Sequence, residues 1–190
     1  MSGVLVTAVG TAPVAVLDRM VAALTAAFAL PCARGAPVEE PAGAHSPARG
    51  QWAATEYLRV LLALPAAAGG RVLGVTERDL FVPVLSFVYG QAQLEGRVAV
   101  VSLARLRPEF HGLPPDDEAL ERRAAAEAVH EVGHTFGLVH CAARRCPMSL
   151  SIDVTDLDRK TAEPCPSCSA LVEGSLEMKS ARAGAPGGPR

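Results

Sequence analysis

A chain of 190 residues suits one domain and is short for two. Hydrophobic residues make up 49% and charged residues 20%, a balance that buries a core and excludes a disordered chain. With 18 basic against 20 acidic side chains, net −2, there is no general basic field for nucleic acid or an anionic membrane, so neither is expected as a partner.

Val4 to Val9 is a short apolar run closed by Gly10, the pattern of a buried strand. Val14, Leu17, Met20, Val21, Leu24 and Phe28 then recur at three- and four-residue steps, an apolar helix stripe that packs on a sheet. Asp18 and Arg19 inside this stretch exclude a membrane span. The first ten residues lack the cationic lead and cleavage site of a secretory signal, so the expected location is cytoplasmic, with the five cysteines reduced. Residues 31–50, with four prolines and three glycines, read as a loop or an irregular strand and loop, and about Gln51 to Leu64 as a second helix. Three strand-like runs follow: Arg71 to Thr76, Val84 to Gly90 and Arg97 to Leu103. Six residues separate the last two, too few for a parallel crossover, so they should pair antiparallel.

Asp116 and Asp117 place carboxylates at the start of a long helix expected to reach about Phe136. Beyond it, Cys141 to Cys168 is polar and loop-rich, with one helix predicted to open at Thr155, where Thr155 and Asp158 have capping-box spacing. The segment KSARAGAPGGPR, residues 179–190, reads as a disordered tail. The arrangement implies one domain over 1–178, divided into an N-terminal part to 137 and a C-terminal subdomain over 138–178.

Chemistry concentrates in His130-Glu131-Val132-Gly133-His134, an H-E-x-x-H string of the zinc-binding type. On a helix of about 100° per residue, His134 lies roughly 40° around from His130 and one turn along, so both imidazoles reach one ion. Glu131 sits roughly 60° to the other side of His134, placed as a general base and not as a ligand. In a continuing helix His140 would lie about 9 Å beyond His134 and roughly 240° around, facing away. The helix must therefore stop, and Gly137 stands where a left-handed residue would end it and let Leu138 and Val139 bring His140 back. Three imidazoles leave the open fourth position of a catalytic zinc.

Cys141 follows the third histidine at once, and Cys141, Cys146, Cys165 and Cys168 read C-x4-C, 18 residues, C-x2-C. This spacing fits a closed four-thiolate zinc site that holds structure and performs no chemistry. Arg144, Arg145, Arg159 and Lys160 lie close in sequence to offset its negative charge. The plainer alternative is four reduced, buried thiols.

The string H-E-V-G-H-T-F-G-L-V-H resembles the elongated motif of the metzincin zinc peptidases. With Cys146-Pro147-Met148 and the later C-x-x-C, the chain is similar to one family among them, the archaemetzincins. Weaker likeness extends to Arg49-Gly50-Gln51-Trp52, Thr76 to Leu80 and Phe87 to Leu106. The resemblance implies an α/β (α+β) metzincin-like, zincin fold: a twisted mixed sheet with an antiparallel edge strand, an active-site helix and a small zinc-stapled C-terminal subdomain. It implies a metalloprotease, a hydrolase of peptide or protein substrates, with two zinc ions per chain. His130, His134 and His140 would hold the catalytic zinc, Glu131 would act as base, Met148 would form the turn beneath the metal, and the four cysteines would hold the second zinc. The edge strand that binds extended peptide is expected within Val84 to Ala92. Ser149 and Leu150 follow Met148 where astacins have a tyrosine, so oxyanion assistance of that kind is not expected.

Two rivals stand beside this reading. A non-catalytic zinc protein could use the thiolate subdomain to bind partners. A deformylase-like hydrolase shares H-E-x-x-H but takes an upstream cysteine, and the surroundings of Cys32 do not resemble that motif. His45, His111, Cys32 and the pair Arg122 and Arg123 are expected to be plain surface or packing residues, Phe87 and Tyr89 cleft-wall aromatics, and the protein a monomer.

Overall fold

The protein is described by a computed structural model that covers residues 3–65 and 70–183. In chain order the elements are β1 (Val4–Ala8), α1 (Val14–Phe28), β2 (Cys32–Arg34), β3 (His45–Ser46), β4 (Gln51–Ala53) and α2 (Ala54–Ala63). Then come β5 (Arg71–Thr76), β6 (Leu80–Phe81), β7 (Gly90–Ala92), β8 (Val98–Ser102), a 3-10 turn (Pro108–His111), α3 (Asp117–Thr135), α4 (Val154–Arg159) and α5 (Pro166–Ala183). The main sheet has the order β2-β1-β5-β8-β7, and β3-β4-β6 form a small second sheet.

β1, β2, β5 and β8 run parallel, while β7 pairs antiparallel with β8, Gln91 opposite Val100. Parallel strands covered on both faces read as continuous apolar runs, and β5 and β8 are buried at every residue. Val4, Val6, Leu73, Val75, Ala99 and Val101 face α1 and α3, whereas Val72, Val98 and Val100 face Tyr57, Leu58 and Leu61 of α2. Each valine or leucine among them, removed from water, contributes roughly 1.5–3 kcal/mol before entropy is subtracted. The sheet therefore forms a rigid floor, with α3 lying across it and β7 along its rim.

Several sequence expectations need correction. The second helix opens at Ala54 and not Gln51, because Trp52 and Ala53 pair with Leu80 and Phe81 of β6. The edge strand is confined to Gly90–Ala92; over 84–88 the carbonyls of Leu85 and Ser86 are taken by Arg49 Nη2 at 2.7 and 3.3 Å, and Gln51 Nε2 reaches Ser86 O at 3.0 Å. With those carbonyls engaged, the stretch does not pair with β8, and Val88 instead bridges Leu80 of β6, its amide bonding Leu80 O at 2.9 Å. The short helix is capped by Asp153, which accepts from the amides of Thr155 and Asp156, and not by Thr155. Arg123 is buried, forked onto Asp158 at 2.7 and 2.9 Å, and only Arg122 is on the surface. A further helix, α5, starts between Cys165 and Cys168 and runs to Ala183, into the expected tail; residues 184–190 lie outside the described part.

Candidate functional site

The site is built at the C-terminal end of α3. Asp116 caps the other end, accepting from Ala119 N at 2.9 Å, and Asp117 and Glu118 complement the helix dipole. At the end of interest Gly137 N bonds His134 O at 2.9 Å and Leu138 N bonds Gly133 O at 3.2 Å, the paired bonds of a Schellman turn. Gly137 has φ +95°, which explains why a glycine is needed there. Arg71, buried at the start of β5, donates to Thr135 Oγ1 at 2.7 Å and stacks on the Phe136 ring at 3.5 Å, holding the helix end from below.

This turn returns His140 to the helix. The His140 ring lies 5.3 Å from those of His130 and His134, measured between centroids, and the nearest nitrogens of all three fall within 4.8 Å of one another. The Nδ1 atoms of His130 and His134 are engaged by Pro147 O at 2.8 Å and Leu138 O at 2.7 Å. Their Nε2 atoms are left facing each other at 3.1 Å. Ligands about 2.0–2.1 Å from a tetrahedral zinc are separated by about 3.3 Å, so the pair already has nearly the spacing of a chelate. Burial above all pushes the His130 pKa down to about 3, and His134 and His140 are lowered by the same cause. The rings are therefore neutral at ordinary pH, the form that donates to a metal.

Glu131 is buried beside them, facing Gly90 of β7, where a Cβ would come within 2.5 Å of its Cγ. Burial, and next the neighbouring Glu127, push its carboxyl well above the usual range, and burial raises Glu127 to about 7. Met148 is fully buried under the helix, and a Cβ on Gly133 would lie 2.4 Å from its Sδ. Above the site opens a cavity of about 670 Å³, walled by residues 85–92 on one side and by Val139 and residues 150–152 on the other. Phe87 and Tyr89, in edge contact at 5.2 Å, line it.

The second cluster lies behind the turn. The sulfurs of Cys141, Cys146, Cys165 and Cys168 all fall within 4.8 Å, Cys141 and Cys165 being 3.8 Å apart. Sulfurs about 2.3 Å from a tetrahedral zinc are separated by about 3.8 Å, so this set also fits. The amide of Cys168 lowers the Cys165 thiol to about 7, while burial raises Cys146 and Cys168.

The likeness to known proteins agrees with this geometry. The model of peptidase family M54 matches residues 60–174. The chain belongs to that family, the archaemetzincins. It is 46% identical to an archaemetzincin of Methanocaldococcus jannaschii over 69% of this chain and 71% of that one. The crystal structure of an archaemetzincin from Methanopyrus kandleri superposes with a TM-score of 0.82 at 36% identity, covering 93% of this chain and 96% of the other. That of a zinc-dependent peptidase from Methanocorpusculum labreanum gives 0.80 at 30% identity, covering 90% and 100%. Among the described residues no helix is long and apolar enough to cross a membrane.

Every residue singled out in the sequence as a metal ligand falls in one of the two clusters, while Cys32 is half-buried on β2, apart from both. The His45 ring packs at a tilt against Trp52, centroids 4.6 Å apart, and His111 bonds Arg105 O at 2.8 Å. Two buried residues at this site are ones the sequence did not assign to it. Glu127 lies on the active-site face with Oε2 unpartnered, and its position one turn before Glu131 was a usable signal. Lys160 reaches under the site to Pro147 and Ser149, and nothing in the sequence separates it from a surface lysine.

Proposed function

We propose that this chain, a zinc metallopeptidase by family, hydrolyses peptide bonds in the cleft below β7, with Glu131 as general base. The ligand set is His130, His134 and His140, with a second zinc on Cys141, Cys146, Cys165 and Cys168, two per chain. The observation that carries the reading is the convergence of three neutral imidazoles within 4.8 Å beside a buried carboxyl. When bound, zinc supplies Lewis acidity that activates water near neutral pH and polarises a carbonyl.

The remaining work falls to the protein. Glu131 accepts the proton of the attacking water and returns it to the departing amine. β7 has β8 on one side only, so its outer edge offers backbone groups to an extended peptide. The missing side chain at Gly90 leaves room for Glu131 at the point where the peptide crosses the helix. Among the described residues the cavity wall carries no charged side chain apart from Glu127 and Glu131, and Leu85, Leu94, Leu150 and Ile152 stand exposed around it, which favours substrates with uncharged, apolar side chains near the scissile bond.

The test is Glu131→Gln. It should keep both zinc ions by metal analysis while peptide hydrolysis falls by about 10²- to 10⁴-fold. Unchanged hydrolysis would remove Glu131 from its role. A wild type with two zinc ions that cleaves no member of a peptide library would favour the non-catalytic zinc protein instead.

A further inference from the structure

Lys160 is 4% exposed, an unusual place for an ammonium group. It follows the last residue of α4, its amide bonded to Leu157 O, so its starting point is fixed. The side chain runs inward, and Nζ donates to Pro147 O at 3.0 Å and to Ser149 O. These carbonyls flank Met148, the residue packed under α3 against Gly133. Pro147 O also accepts from His130 Nδ1 at 2.8 Å, so one oxygen is shared by a buried cation and by the ring that begins the histidine cluster. Burial lowers the Lys160 pKa, and the neighbouring Glu127 and Glu131 oppose that shift only in part.

We propose that Lys160 is a positioning residue for the histidine site: by clamping the carbonyls on both sides of Met148 it fixes the oxygen that orients the His130 ring. The inference rests on the three histidines being zinc ligands. Acceptors behind a ligating imidazole set its rotation and basicity, and losing them typically weakens metal affinity by about 10- to 100-fold. Here the acceptor is a backbone carbonyl in a loop outside any helix or strand, where Ser149 N bonds Cys146 O and Cys141 N bonds Met148 O but the Pro147 carbonyl itself is held only by side chains among the described contacts. A charged donor bonded to two neighbouring carbonyls fixes it, and its pull on Pro147 O also limits how much electron density that oxygen gives to His130. The hydrogen bonds of Lys160 go to the turn and not to sulfur, while Cys146 of the thiolate cluster acts on it electrostatically, so a share in offsetting the thiolates stands beside the clamp.

The experiment compares wild type, Lys160→Met and Lys160→Arg in the zinc-loaded protein. Zinc affinity of each site is read by competition with a chromogenic chelator, kcat and KM are measured on one peptide, and the visible spectrum is recorded after cobalt replaces the histidine-site zinc. Lys160→Met should hold the thiolate-site zinc as wild type does and lose about tenfold or more in affinity at the histidine site. It should lower kcat with KM within about twofold and alter the cobalt spectrum; Lys160→Arg, which retains charge and donors, should restore most of both. Wild-type affinity, kcat and spectrum in the Met variant would overturn the proposal. So would loss of both zinc ions together in both variants, which is a general structural role. Should the Met variant not fold, the wild type decides: its Lys160 ¹⁵Nζ resonance should shift when the histidine-site zinc alone is stripped, and an unmoved resonance overturns the proposal. A wild type that binds no zinc at the histidines would instead sink the proposed function.

Discussion

In the sheet half of the molecule β5 and β8 bury every residue, and two apolar clusters fill both faces. Among the described residues from Leu138 onward only Leu138, Met148, Leu157 and Val172 join Cys146 and Cys168 as buried apolar groups, while Val139, Leu150, Ile152 and Leu171 are exposed. The first half can be held by removing hydrocarbon from water; the second buries too little to offset the entropy of ordering its loops. On the proposed reading, cross-linking by metal at the four cysteines is the substitute, as in small domains generally. The histidine cluster straddles the junction: His130 and His134 come from the apolar half, His140 from the half that the second zinc would staple.

The comparison breaks most sharply at a thiolate. Structural zinc sites contribute about 10–16 kcal/mol of apparent binding energy to folding. Cys165→Ser should lose one zinc, strip amide protection from residues 138–177 and cut peptide hydrolysis more than about a hundredfold through misplaced His140, while the amides of β5 and β8 stay protected. Hydrogen exchange with metal analysis reads this directly. Loss of protection in the sheet as well would mean that the two halves are one cooperative unit.

A smaller effect is expected at the hinge between them. Gly137→Ala forces a Cβ into a backbone with φ +95°, at a cost of about 1–2 kcal/mol. If that cost is relieved by opening the Schellman turn, His140 moves away and zinc affinity falls at the histidine site alone. Denaturant unfolding and metal titration separate the two contributions; equal weakening of both zinc sites would show that the turn supports more than His140.

What the sequence made legible follows the same division. The helical period alone places His130, His134 and Glu131, and the need to bring His140 back identifies Gly137, because both are local consequences of backbone geometry. Strands β1, β5 and β8 are legible because a buried parallel strand is apolar throughout. The cleft rim was read too long, since the carbonyls of Leu85 and Ser86 are claimed by Arg49 and Gln51, some 35 residues upstream. The burial of Arg123, and the partners of Lys160, were out of reach for a similar reason: whether a cation is solvated or buried is decided by residues distant in the chain, Asp158 for one and Pro147 and Ser149 for the other.

The ion pair of Arg123 with Asp158 offers the mildest test, because it joins α3 of the first half to α4 of the second. The Arg123 side chain is 6% exposed and that of Asp158 36%, so water screens one partner only. Asp158→Asn, which keeps the shape, should cost about 1 kcal/mol, near the upper end for a partly exposed pair. The hydrogen bonds from Arg123 hold the Asp158 carboxyl below its usual 3.8. A depressed carboxyl stabilises the fold above the unfolded value and loses that contribution as pH falls through the lower, folded one. Acid strips zinc from both proteins alike, so the difference between them isolates the pair. The stability gap between wild type and Asp158→Asn should be constant above about pH 4 and close in stronger acid. A gap that persists unchanged to the acid limit would show that packing of the side chain, and not its charge, ties the two halves together.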